Sequence, residues 1–172
     1  MKVVLCARNM EAGDKIRASL PEWCRSNVRV QKCDLADLAS VKQAAESIKS
    51  NEGKIDLLVN NAGVMALPKK METVQGFELQ LGTDHIGHHF LTRLLLPSMN
   101  EGGRVVTVAS MAHSMGTLDF TNLNYETGRK YSAWGAYGQS KLANILFAKG
   151  LDDKLKADGR TIRSVSLHPG II

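Results

Sequence analysis

Ile55-Asp56-Leu57-Leu58-Val59-Asn60, running straight into Asn61-Ala62-Gly63, is the stretch that decides the fold. A compact apolar run of this length, closed by a glycine turn, reads as a strand that delivers its last residues to a loop. Upstream, residues 40–51 form an amphipathic helical stretch ended by Gly53, and residues 27–33 alternate apolar and polar side chains before Asp34-Leu35. Further back, residues 10–20 have helical composition and stop at Pro21, and residues 2–7 form a short apolar strand followed by Arg8-Asn9. Downstream, residues 68–73 look like a polar loop, and residues 76–99 read as helical with breaks near Gly82 and Pro97. A strand follows over 104–110. Next comes a helix over 137–157, with Leu142, Ile145, Leu146, Leu151 and Leu155 on its apolar side, and then a strand over 162–167.

Strands alternating with helices at this pace require a parallel sheet with helices on both faces, because right-handed crossovers leave little else. Ligands of such sheets sit beyond the carboxyl ends of the strands. Arg8, Asp34, Asn61, Ser110 and Pro169-Gly170 all lie at those ends. The irregular stretch 111–136 falls between Ser110 and the 137–157 helix, and irregular segments of that length in a compact domain are usually functional.

With 172 residues, 44% hydrophobic and 23% charged, the chain is one domain with a real core, not a disordered segment. Its net charge of +5 is scattered without a like-charge run, which argues against a nucleic-acid-binding arm and suits an anionic ligand. No apolar stretch is long enough to span a membrane, so the chain reads as soluble. Cys6, Cys24 and Cys33 make neither a CxxC motif nor an even set. They read as buried thiols in a reducing compartment, cytoplasm or chloroplast. His85 and His89 have helical i, i+4 spacing, but no suitably placed Cys, Asp or Glu beyond Asp84 completes a metal site.

Tyr137 and Lys141 stand four apart on the predicted helix and share a face. A phenol beside a fixed ammonium is a candidate proton-transfer pair, since a nearby cation favours the phenolate. Alone, this spacing is common on solvated helices. Ser110, at the end of its strand, is equally a turn or cap residue, and Ser114 competes for its role. Asn61, Ala62 and Gly63 fit a tight strand-to-loop turn. Asp34 fits a loop acid or an N-cap for a short turn.

The ordered set Asn60-Asn61-Ala62-Gly63, a strand-ending serine, Tyr-x-x-x-Lys and Pro169-Gly170 resembles the short-chain dehydrogenase/reductase superfamily over nearly the whole chain. Four runs resemble its retinol-dehydrogenase-like branch. They are Leu5-Cys6-Ala7-Arg8-Asn9, Asp34-Leu35, His85-Ile86-Gly87-His88-His89-Phe90-Leu91-Thr92, and Tyr137-Gly138-Gln139-Ser140-Lys141-Leu142-Ala143-Asn144-Ile145-Leu146-Phe147. That branch includes WW-domain oxidoreductases and chloroplast-envelope dehydrogenases associated with the protein-import translocon.

The resemblance implies a Rossmann-like doubly wound parallel sheet, with residues 1–172 forming a single partial dinucleotide-binding domain. It implies an NADP-dependent oxidoreductase that interconverts a carbonyl and an alcohol on an apolar small molecule such as a retinoid, steroid or xenobiotic. Tyr137 is then the acid/base, Ser110 binds the reacting oxygen, and Lys141 serves both the phenol and the nicotinamide ribose. Asp84 occupies the position of a family asparagine that supports a proton-relay water. Arg8 selects NADP through the 2′-phosphate, Asp34 and Leu35 flank the adenine, and Asn61, Ala62, Gly63, Pro169 and Gly170 line the cofactor cleft. The resemblance also implies a homodimer through the helices over 76–99 and 137–157.

Against that family the chain starts at the second strand and stops after Pro169-Gly170-Ile171-Ile172. The expected fold is therefore incomplete, with the first strand, its glycine-rich phosphate turn and the last strand missing. The sequence then reads as a fragment that exposes unpaired strand edges and binds its cofactor poorly. A second class stays open: a non-enzymatic, degenerate member acting as a binding or regulatory module. Asp84 and the absent glycine turn favour that class; Ser110, Tyr137 and Lys141 oppose it.

Overall fold

A computed structural model describes residues 1–128 and 130–170. The chain alternates strands and helices: β1 Val3–Ala7, α1 Met10–Ser19, α2 Glu22–Arg25, β2 Val28–Lys32, α3 Leu38–Glu52 and β3 Ile55–Asn60, followed by α4 Leu79–Leu81, α5 Gly87–Leu95, β4 Met99–Val108, α6 Ala133–Ala157 and β5 Arg163–Leu167. A π-helical turn, Gly82–Ile86, joins α4 to α5, and 3-10 turns occupy Leu96–Ser98 and Met111–Met115.

Local chemistry sets the helix boundaries. Asn9 caps α1 by accepting from the Ala12 amide at 3.1 Å, and Asp37 caps α3 by accepting from the Ala39 amide at 2.9 Å. Ser132 caps α6 through the Gly135 amide, so this helix begins four residues before the expected start at Tyr137. The helix expected from Gly76 begins only at Leu79, because the Glu78 carboxylate accepts from the Gln80 and Leu81 amides and acts as its cap. Met99 belongs to β4, not to the preceding helix.

All strand pairings within the two sheets are parallel. β1 pairs β2, with Cys6 opposite Gln31, and β4 lies between β3 and β5, with Val106 opposite Val59 and Val165. The order is therefore β1-β2 in one sheet and β3-β4-β5 in another. β1 and β3 are edge strands, and the apolar side chains of Leu57 and Val59 on β3 are 53% and 50% exposed. This is the exposure expected of an incomplete sheet.

The two sheets share one core. Val41, Ala44, Ala45 and Ile48 of α3 pack with Leu91 and Leu95 of α5, and Val4 of β1 and Ile55 and Leu58 of β3 both lie against this cluster. A second cluster, Met99, Val105, Leu155 and Ile162, fixes α6 on β4 and β5. Asp152 of α6 strengthens that attachment by accepting from the Arg163 guanidinium at 2.8 Å and 3.1 Å and from the Ser164 amide at 3.1 Å.

Two expectations are corrected. Only Cys33 is a buried thiol; Cys24 is half-buried and Cys6, on an edge strand, is exposed. The buried face of α6 follows its expected apolar side only in part: Leu155 is buried and Leu151 packs beside it, but Leu146 is 49% exposed, whereas Gln139, Ser140, Lys141 and Asn144 are buried.

Candidate active site

Ser110 lies two residues beyond β4 and caps the 3-10 turn. Its hydroxyl oxygen accepts from the Ala112 amide at 3.2 Å and its carbonyl meets His113 Nδ1 at 2.8 Å. The capping reading is thus met, and the capping bond still leaves the Ser110 hydroxyl proton available for a ligand. Ser114 lies within the turn, exposed, and donates to the Met111 carbonyl at 3.0 Å.

The turn is held against α6 by two glycines. A Cβ on Gly116 would meet the Gly138 carbonyl oxygen at 2.3 Å, and one on Gly138 would meet the Ala112 carbonyl oxygen at 2.5 Å. Only paired glycines allow this approach, which brings the Ser110 turn onto the helix segment carrying Tyr137. The Tyr137 ring is half-buried, edge-on to Trp134 at 6.0 Å, and the Lys141 ammonium lies 5.3 Å from its centre.

Lys141 is buried. Its Nζ lies 3.5 Å from the Val108 carbonyl oxygen and 3.5 Å from Asp84 Oδ2. Asp84 sits in the π-helical turn, a local irregularity typical of functional positions, and is fully buried. Its Oδ1 accepts from the Val64 amide at 2.8 Å, and Ser140 Oγ contacts its Oδ2 at 3.3 Å. A Cβ on Gly63 would stand 3.0 Å from Asp84 Oδ1, so the Asn61-Ala62-Gly63 loop is pinned to Asp84 by a glycine contact. Burial pushes the Asp84 carboxyl up to about 6, with the Lys141 charge opposing.

Asn144 completes the network. Its Nδ2 donates to the Asp84 carbonyl at 3.1 Å and to the Val108 carbonyl at 3.2 Å, which leaves its Oδ1 to accept from His85 Nδ1 at 3.1 Å. His88 Nδ1 lies 2.9 Å from the same Asp84 carbonyl, and burial lowers His88 to about 4. Ser140 and Asn144 stand in the quoted helix motif, yet sequence reading gave them no role. Asn144 lies three residues beyond Lys141, on the Tyr137 face, which was the available signal.

The structure thus gathers Ser110, Tyr137, Lys141, Asp84 and the Asn61–Gly63 loop. Arg8, Asp34 and Leu35 lie apart from them at the ends of the β1-β2 sheet. Arg8 is exposed, with no ion-pair partner among the described residues. Asp34 Oδ1 accepts from the Ala36 amide at 3.0 Å and its carbonyl from the Asp37 amide at 3.1 Å, so it caps the short turn that follows it. The Leu35 carbonyl abuts Gly87, where a Cβ would meet it at 2.5 Å. Pro169 and Gly170 are exposed beyond β5, Gly170 with φ +98°, and Ile171 and Ile172 lie outside the described residues. Among the described residues no group of three His, Cys, Asp or Glu side chains could hold a metal, and no helix is long and apolar enough to cross a membrane.

The described residues offer a nicotinamide dinucleotide two cations, Arg8 and Lys141, and no phosphate cradle. An unpaired Arg8 suits a phosphate on the adenosine side, and Lys141 beside an accessible phenol suits the nicotinamide ribose. The described residues include no glycine-rich turn leading into a helix N-terminus that could cradle a pyrophosphate.

The model of the short chain dehydrogenase family matches residues 1–172. The chain is 41% identical to human retinol dehydrogenase 13 over 98% of its own length and 51% of that protein's, and 41% identical to mouse retinol dehydrogenase 11 over 99% and 54%. It therefore spans about half the length of the curated relatives it matches. Among solved structures, an uncharacterized protein from Mycobacterium Paratuberculosis superposes with TM-score 0.88 at 42% identity, covering 98% of this chain and 59% of that one. A Brucella melitensis short-chain dehydrogenase/reductase superposes with TM-score 0.74 at 23% identity, covering 99% and 64%, a likeness of fold alone.

Proposed function

The chain belongs to the short chain dehydrogenase family, and on that premise we propose that it carries the catalytic half of an NADP-dependent oxidoreductase interconverting a carbonyl and an alcohol on an apolar small molecule. The observation that carries the proposal is the convergence of Ser110, Tyr137 and Lys141 at the end of β4, with Asp84 buried behind them. The nicotinamide, when bound, supplies or accepts the hydride. In reduction, Tyr137 Oη gives its proton to the carbonyl oxygen as the hydride reaches the carbon, and Ser110 Oγ donates a hydrogen bond to that same oxygen. Lys141 holds the nicotinamide ribose while its charge acts on the phenol. Asp84 anchors Lys141 and the Asn61–Gly63 loop in one geometry.

On the adenosine side Arg8 takes the 2′-phosphate, Asp34 and Leu35 flank the adenine, and Pro169-Gly170 borders the nicotinamide. The apolar substrate class is supported by Met111, Met115 and Trp134, all at least half exposed beside Ser110 and Tyr137. The relatives named retinol dehydrogenase are consistent with it. We also propose pairing of two copies through the α5 and α6 helices, where Leu146 is half exposed; light scattering tests this directly.

The decisive assay follows NADPH consumption with a panel of apolar aldehydes and ketones. Tyr137→Phe is expected to lose about 10²–10⁴-fold in turnover, the usual worth of a general acid. Unchanged turnover removes Tyr137 from its role, and no turnover with any carbonyl favours a binding module. Isothermal titration of NADPH into the chain is expected to show weak binding, and micromolar affinity would contradict that expectation.

A further inference from the structure

The Asp84 carboxylate stands where two hydrogen-bonding arrangements compete. Its Oδ1 is committed to the Val64 amide at 2.8 Å. Its Oδ2 faces both the Lys141 ammonium at 3.5 Å and Ser140 Oγ at 3.3 Å. Ser140 has one hydroxyl proton, and its shorter bond, 2.7 Å, goes to the Tyr137 carbonyl. While Ser140 donates there, Oδ2 has two self-consistent states. Ionised, it pairs with Lys141. Protonated, it donates to Ser140 Oγ, extending a chain through Ser140 to the Tyr137 backbone, and the ammonium loses its counter-charge.

We infer that Asp84 is a positioning residue that meters how much of the Lys141 charge reaches the Tyr137 phenol, cancelling it when ionised and releasing it when protonated. This rests on the oxidoreductase reading of the site. Lys141 and Asp84 are both buried, so solvent does little to screen either charge. The titratable groups around Asp84 are His85 and His88 on its own helical segment and Tyr137 and Lys141 on α6. β4 contributes only the Val108 carbonyl, and the loop after β3 only the Val64 amide. Burial lowers both histidines, which keeps them from supplying a second cation.

The consequence concerns direction. An ionised Asp84 offsets part of the ammonium charge and so works toward the proton-bearing phenol that carbonyl reduction requires. An uncharged group at this position leaves the ammonium uncompensated and shifts the balance toward the phenolate that alcohol oxidation requires.

The test reads phenolate absorbance across alkaline pH in the parent chain and in Asp84→Asn, each with its Tyr137→Phe counterpart to subtract Tyr125 and Tyr131. Asp84→Asn is expected to move the Tyr137 titration midpoint down by about one pH unit, the low end of a single nearby charge's effect. Coincident midpoints overturn the inference. If circular dichroism shows Asp84→Asn to be unfolded, ¹³C NMR of the aspartate carboxyls is read in the parent and in Lys141→Met. The Asp84 titration should then rise by about one unit or more when the ammonium is gone, and an unmoved titration overturns the inference. Neither measurement requires turnover. An inactive protein that shows the midpoint shift keeps the charge coupling and refutes only the enzymatic reading.

Discussion

Asp84→Asn should also change how stability depends on pH, with a magnitude that follows from burial. The folded-state carboxyl is raised to about 6 from an ordinary value of 3.8. An acid raised on folding contributes stability that is fully present below its unfolded pKa and is lost as pH rises through its folded pKa. The separation of about 2.2 units, at about 1.36 kcal/mol each, amounts to roughly 3 kcal/mol lost between about pH 4 and pH 6 to 7. His88, lowered to about 4 from 6.5, works the other way: its contribution is present above the unfolded value and is lost as pH falls toward 4. Its size is again roughly 3 kcal/mol. In the parent chain the two largely offset, so this buried pair leaves the stability profile nearly flat across that window.

The substitution removes one side of the balance. Urea unfolding followed by circular dichroism, at several pH values from 4 to 7, gives the difference in stability between Asp84→Asn and the parent. Every other group cancels to first order in that difference. It should rise in favour of the variant by roughly 3 kcal/mol from pH 4 to pH 7, whatever its value at pH 4. That starting offset includes the cost of leaving Lys141 without its partner. Parallel profiles, differing by less than about 1 kcal/mol across the range, would refute the claim that Asp84 titrates within the fold.

Gly116→Ala places a methyl 2.3 Å from the Gly138 carbonyl oxygen; it should cost about 1–3 kcal/mol in urea unfolding and lower turnover, and a neutral result would mean that the turn and helix can separate freely. Arg8→Ala should reduce the preference for NADPH over NADH by about 10–100-fold, the loss of a charge-assisted contact, read from the ratio of dissociation constants; an unchanged ratio would take Arg8 out of the cofactor site. Val59→Lys, at a half-exposed position on edge strand β3, should suppress aggregation measured by light scattering while changing stability by no more than about 0.5 kcal/mol; equal aggregation would locate the sticky surface elsewhere.

Sequence by itself determined the order of elements and which residues are candidates for the reacting groups. The run over 55–60 is a strand from first to last residue as read, because a short apolar run closed by Asn-Ala-Gly has few alternatives. Ser110, Tyr137 and Lys141 stood out as candidates because the ordered set of motifs around them resembles a family's, since their spacing alone is common on solvated helices. Tertiary structure alone decided what surrounds them. The helical reading from Gly76 missed the Glu78 cap and the π-helical turn, since nothing local announces which carboxylate will find a helix N-terminus. The apolar stripe of α6 located the buried face at Leu151 and Leu155 but not in the first half of the helix. Periodicity assumes that buried means apolar, whereas this helix buries Ser140, Lys141 and Asn144 against Asp84 and the Val108 carbonyl, where each polar group satisfies another. Asp84 was visible only as an unexpected acid. Its pairing with Lys141, 57 residues away, exists because α6 and the π-helical turn pack together in three dimensions, and that proximity turns an odd residue into the counter-charge of the site.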